Sequence, residues 1–157
     1  YLLKERAYNR LMQTFLPYGS FKESAKALDY RRLGKQRVEV LQLLNSIKKL
    51  KNKEPIKGWR NHPARKMWYN DKADYSNALC LYGLSICKEW KRRGYKDTCT
   101  EKIEAHFDKS KPVIYPKFIN DARVHLSHRS NLIKKDNLYY KDKFKRTGKE
   151  IEYFWSY

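Results

Sequence analysis

Residues 28–39 read LDYRRLGKQRVE, and the fold turns on how that stretch is read. Four of its twelve side chains are cationic and two acidic, set among apolar residues at helical spacing. The apolar stripe continues on both sides, through Phe21, Ala25 and Leu28 and then Val38, Leu41, Leu44 and Ile47. Ser20 followed three residues later by Glu23 is a capping-box pattern, so one long helix is predicted from Ser20 onward. Gly34 interrupts it at a cost of ~1 kcal/mol against Ala and marks either a kink or a close approach.

Working outward, Gly and Pro punctuate the remaining chain at PYGS (17–20), EPIKGW (54–59), NHP (61–63), RRGY (92–95) and KPVIYP (111–116). A short helix is predicted after Asn61 with Pro63 in its first position. Residues 74–93 read as a helix with Tyr75, Leu79, Tyr82, Ile86 and Trp90 inward, stopped by Gly94. A last helix is predicted over 120–135, capped by Asn120, with Ala122, Leu126 and Ile133 inward. PVIYPKF alternates but is too rich in Pro to be more than an edge strand. The expectation is an all-α, compact single-domain fold with long irregular loops at 50–60 and 108–119.

The 157 residues carry 36 Lys+Arg against 17 Asp+Glu, a net charge of +19. Such a charge repels itself, which points to a polyanionic partner, and nucleic acid comes first because neutralised phosphates release counterions. No stretch approaches the ~20 apolar residues of a membrane span, so no membrane partner is expected. Cys80, Cys87 and Cys99 form no CxxC pair and read as free thiols in a reducing, intracellular compartment. Cys80 and Cys87 share a helix face as small buried hydrophobes. Walker loops, GxSxG elbows and paired CxxC motifs are absent, and His125 and His128 lack further ligands at a diagnostic spacing. Neither a metal nor a small-molecule cofactor is implied.

Cations and aromatics gather in three places. Arg31, Lys35 and Glu39 recur every four residues along one side of the first helix, with Arg32 and Gln36 beside them. In GWRNHPARKMW (58–68), Trp59 and Trp68 flank Arg60, Arg65 and Lys66, with His62 where the helix starts. These two tryptophans read equally as base-stacking surfaces or as core. Residues 134–149 hold seven Lys/Arg interleaved with Tyr139, Tyr140 and Phe144, a composition that suits distorted or single-stranded nucleic acid or, alternatively, a solvated tail.

Five blocks carry a family resemblance: MQTFLPY (12–18), LDYRRLGKQRVEVLQLL (28–44), GWRNHPARKMW (58–68), ALCLYGLSICKEWKRRGYKDT (78–98) and HLSHRSNLIKKDNLYY (125–140). In type and order they resemble the pyrimidine-dimer DNA glycosylase (endonuclease V) family, and most closely its bacterial and large-virus branch. The resemblance implies a small helical enzyme that bends double-stranded, damaged DNA, extrudes a base, cuts a glycosidic bond and then cleaves the abasic strand. It further implies an N-terminal α-amine as nucleophile, giving a Schiff base, and a helix glutamate that stabilises the cationic sugar.

Carried onto this chain, the family's arginine matches Arg31 and its next basic position Lys35, while the glutamate falls on Arg32. A cation cannot stabilise a developing oxocarbenium ion, so the carboxylate is expected from Asp29 or, preferably, Glu39. The chain opens on Tyr1 with eleven residues ahead of the block at Met12, which reads as an N-terminal extension (1–11) before a domain of 12–157. Three routes stay open: processing just after Met12, Lys35 as imine former, or no lyase step. Catalytic candidates are thus Glu39, Asp29 and Lys35. DNA-binding candidates are Arg31, Arg32, Lys35, Arg37, Arg60, His62, Arg65, Lys66, Arg129 and Lys134. A DNA-repair glycosylase acting at a pyrimidine dimer or another damaged base is the first expectation, and a catalytically silent DNA-binding or packaging protein is the alternative.

Overall fold

Asp29 divides the long helix expected from Ser20 in two. Its carboxylate accepts from Arg32 N–H as an N-cap, and Leu28 and Asp29 take extended backbone, so one helix ends and another starts within two residues. The computed structural model describes residues 13–145, 147–148 and 150–157. In these the elements are α1 (Phe21–Ala27), α2 (Tyr30–Lys51), α3 (Pro63–Trp68), α4 (Ser76–Arg92), α5 (Thr100–Glu104), a 3-10 turn (Lys117–Asn120), α6 (Ala122–Lys135) and α7 (Asn137–Tyr140). The fold is all-α, with no strand among the described residues. The boundary expected at Met12 lies outside them.

The two long helices form the frame, α4 packing across α2 while α1 and α5 lie against α4. Leu33, Val40, Leu43, Leu44 and Ile47 of α2 meet Leu79, Tyr82, Ile86 and Cys87 of α4 in one buried core. Gly34 is a close-approach site rather than a kink: a Cβ there would lie 2.8 Å from the Trp90 ring of α4. Ser20 Oγ accepts from Glu23 N–H at 3.2 Å, as the capping pattern predicted. Gly94 ends α4 in the left-handed region, at φ 92°.

Pro63 opens α3 as expected, with His62 as its N-cap, the ring accepting from Ala64 N–H at 3.0 Å. α6 is capped by Asp121, and Ala122 on it is exposed. Its buried side sets the expected Ile133, with Val124 and Leu132, among polar His125, Ser127, His128, Ser130 and Asn131, which counting apolar residues did not reach. PVIYPKF, expected to be at most an edge strand, forms none and leads into the 3-10 turn. Trp59 and Trp68 are both core, 1% and 0% exposed, which decides between their two readings. Tyr140 and Phe144 are likewise buried and stacked on each other. The three cysteines are free and buried.

Candidate active site

Residues 13–17 run extended through the interior without joining a sheet, so their main-chain groups need side-chain partners. Gln36 of α2 supplies two: its Oε1 accepts from Phe15 N–H at 3.0 Å and its Nε2 donates to Gln13 O at 2.6 Å. The Tyr82 hydroxyl of α4 donates to Phe15 O at 2.6 Å. From α6, His128 Nδ1 accepts from Leu16 N–H at 2.9 Å, and His125 Nδ1 lies 2.8 Å from Leu16 O. Arg129 donates to Pro17 O at 2.6 Å. The polar face of α6 thus serves two backbone segments: His125 and His128 hold residue 16, while Ser127, Ser130 and Asn131 hold Phe154 N–H and the main chain of Ile151. Desolvation holds the His128 imidazole neutral, with its pKa pushed down to about 3.

This cradle brings Gln13 N–H to Glu39. The amide donates to Glu39 Oε2 at 3.4 Å, and Gln36 Nε2 donates to the same oxygen at 2.9 Å. Glu39 is 7% exposed. Burial raises its pKa to about 7, against the opposing pull of the Gln13 N–H, Lys35, Lys135 and Gln36. A carboxyl so poised exchanges its proton near neutral pH, and cations stand around it. The departure at Arg32 thus has a geometric counterpart: a carboxylate does meet the main-chain nitrogen of residue 13, and it is Glu39, two turns further along α2.

Asp29 is placed differently. It is buried, caps α2, receives the Tyr140 hydroxyl and pairs with Arg32 at 3.2 Å. Lys35 is exposed near Glu39. Of the expected DNA contacts, Arg31, Arg60 and Lys134 are exposed. Four others have interior duties. Arg37 pairs with Asp97 at 2.6 Å and lies over the Trp90 ring. His62 is 2% exposed and occupied as a helix cap. Arg65 donates to the carbonyls of Arg60 and Tyr69, and Arg129 to Pro17. Half-buried Lys66 lies 5.9 Å from the Tyr157 ring centroid. The parts Gln36, Tyr82 and Lys135 play at this site went unread. Gln36 and Tyr82 are polar groups on buried helix faces, which is the signal that could have found them; Lys135, in the basic last turn of α6, carries no such signal.

A second depression of about 400 Å³ lies at the far end of α2, lined by Lys51, Asp74, His106, Asp108 and Lys111. Its charges are largely paired among themselves, with Lys51 on Asp74 at 2.7 Å and Lys111 near Asp108 at 4.0 Å. It offers less unspent charge than the Glu39 site.

The site thus sets a buried carboxyl against a main-chain amide in a strongly basic helical body. The family model for pyrimidine dimer DNA glycosylase matches residues 12–103, more than half of the chain, and the chain belongs to that family. Its class is therefore DNA-repair glycosylase, with DNA as substrate. Comparison with curated proteins and with solved structures gives no significant match. No described helix is long and apolar enough to cross a membrane.

Proposed function

We propose that this protein cuts the glycosidic bond of a damaged base in duplex DNA, first of all at a pyrimidine dimer, with Glu39 as its carboxylate and an amine at residue 12 or 13 as its nucleophile. The observation that carries the reading is the 3.4 Å contact between Gln13 N and Glu39 Oε2. A chain beginning at Gln13 would bear its α-amine on that atom, and one beginning at Met12 would bear it a residue away, ~3.8 Å between successive Cα atoms. The amine attacks C1′ of the damaged nucleotide. The N–C1′ bond forms as the glycosidic bond breaks, the base takes the electron pair and, at a dimer, stays tethered to its neighbour through the cyclobutane ring, and ring opening yields the Schiff base. Glu39 as carboxylate takes the amine proton and stabilises the cationic sugar, and in its protonated form supplies a proton to the leaving base or ring oxygen. Subsequent β-elimination would give the lyase step. Arg31, Lys35, Arg60 and Lys134 are the exposed groups assigned to phosphates.

Asp29 is assigned to the helix cap and Lys35 to charge near Glu39, not to the imine. A silent DNA-binding protein is the second reading, favoured by the fact that Gln13 N is an amide in this chain and an amide does not attack sugar carbon. The test offers duplexes carrying a cyclobutane dimer, an abasic site, uracil or no lesion, side by side. Glycosidic cleavage at the dimer, read as strand scission after alkali, is expected, and Glu39→Gln is expected to slow it at least ~100-fold while leaving binding intact. Absence of glycosidic cleavage on the dimer and uracil duplexes and of strand scission at the abasic site, with binding retained, would replace this reading by the silent one.

A further inference from the structure

We propose that Tyr30 and Tyr95 form a stacking platform for an unpaired nucleotide of single-stranded DNA, with Arg31 and Lys96 at its rim to hold phosphates. Tyr30 is 52% exposed and Tyr95 42%, although both rings are held in place. Their planes lie within 25° of parallel with centroids 6.4 Å apart, and Tyr95 stacks on Trp90 at 4.2 Å and 23°. Arg37, fixed by Asp97, backs Trp90 at 4.5 Å. The result is a row of four planar groups, closed at Arg37 and open to solvent at its Tyr30–Tyr95 end.

The end of α4 accounts for half of this row. Gly94 N–H donates to Lys91 O and Tyr95 N–H to Trp90 O, a Schellman arrangement that usually brings these two side chains together. It gives no reason for Tyr30 to lie parallel to Tyr95 outside the core. Charge says what covers the pair. Arg31 lies 5.7 Å from the Tyr30 ring centroid, and Lys96 is exposed where the Trp90 indole donates to its carbonyl. Of the nearby acids, Asp29, Glu89 and Asp97 are engaged by arginines, and Asp136, whose charge reaches Arg31, caps α7 through Tyr139 N–H. Aromatic faces with a mainly cationic rim fit bases and phosphates of a flexible strand, not an apolar peptide. Tyr30 and Glu39 stand nine positions apart on α2, about 180° around the helix, so this surface is separate from the reacting centre.

Fluorescence anisotropy with a labelled oligothymidylate and with an undamaged duplex of equal length tests the platform on the full chain. Tyr30→Ala and Tyr95→Ala are each expected to weaken single-strand binding between about 5- and about 150-fold while leaving duplex affinity and the salt slope unchanged. Phe at either position should restore binding, and Arg31→Ala should lower the slope by ~0.7. Leu in place of either tyrosine removes the π-face but keeps bulk, and reads the same way if an Ala variant unfolds. Unchanged affinity in folded variants, or equal loss for single strand and duplex, overturns the proposal. Glu39→Gln should bind the oligonucleotide as the parent does, so a failure of the glycosylase reading leaves this result separately legible.

Discussion

Glu39 holds a proton the unfolded chain would release. Its native pKa of about 7 stands above the ordinary 4.5 because burial outweighs the Gln13 amide, Lys35 and Lys135. Between those two values the native state binds more protons than the unfolded one, so this group's contribution to stability declines as pH rises, by a total on the order of 3 kcal/mol. His128 works oppositely: kept neutral down to about pH 3, it costs stability as pH falls below its unfolded value. The two are separated by difference. Glu39→Gln is expected to gain stability relative to the parent as pH rises from 4.5 to 7, with a flat difference on either side, measured by urea unfolding across that range. A flat difference throughout would mean that Glu39 titrates as a solvated carboxyl and is not poised for proton exchange. Gln36 makes the poise specific, since one amide ties Gln13 O, Phe15 N–H and the Glu39 carboxylate into a single arrangement.

The crossing of α2 and α4 sets where that arrangement sits, and it depends on small residues. A Cβ at Gly83 would lie 2.7 Å from Val40 Cγ1 and 3.2 Å from Ile103 Cδ1, both fully buried. Gly83→Ala should therefore lose about 1–2 kcal/mol in chemical unfolding, overpacking exceeding the ~1 kcal/mol gain in helix propensity. A stabilised variant would show that the crossing has slack. Periodicity made α4 legible from sequence, because Leu79, Tyr82 and Ile86 carry its inward side without exception. It was incomplete for α6, whose buried His125 and His128 serve a backbone segment more than a hundred residues away, a pairing no local pattern encodes. It also missed the break at Asp29, where the N-cap lies inside an unbroken apolar stripe. Glu39 itself was legible as the acid on the Arg31–Lys35 side of the helix. Its partner was not, since Gln13 lies 26 residues away and meets it only in the fold.

The molecule as a whole carries +19. Several cations expected at DNA turn inward instead, Arg37, Arg65 and Arg129 among them, yet the exposed remainder still includes Arg31, Lys35, Arg60, Lys134, Lys141, Lys143 and Lys145. A surface neutralising about 6–10 phosphates loses ~10³–10⁵ in affinity between 50 and 200 mM salt, and that slope is expected for duplex binding by titration at stepped salt. Affinity indifferent to salt would count against any DNA-handling role. The most direct test of the chemistry is a borohydride trap on dimer-containing duplex, followed by proteolysis and mass mapping of the cross-linked peptide. The cross-link should fall on the α-amine at Met12 or Gln13, and Glu39→Gln should abolish it. A cross-link on Lys35, or an adduct that persists without Glu39, would contradict the pairing of that carboxylate with the residue-13 nitrogen.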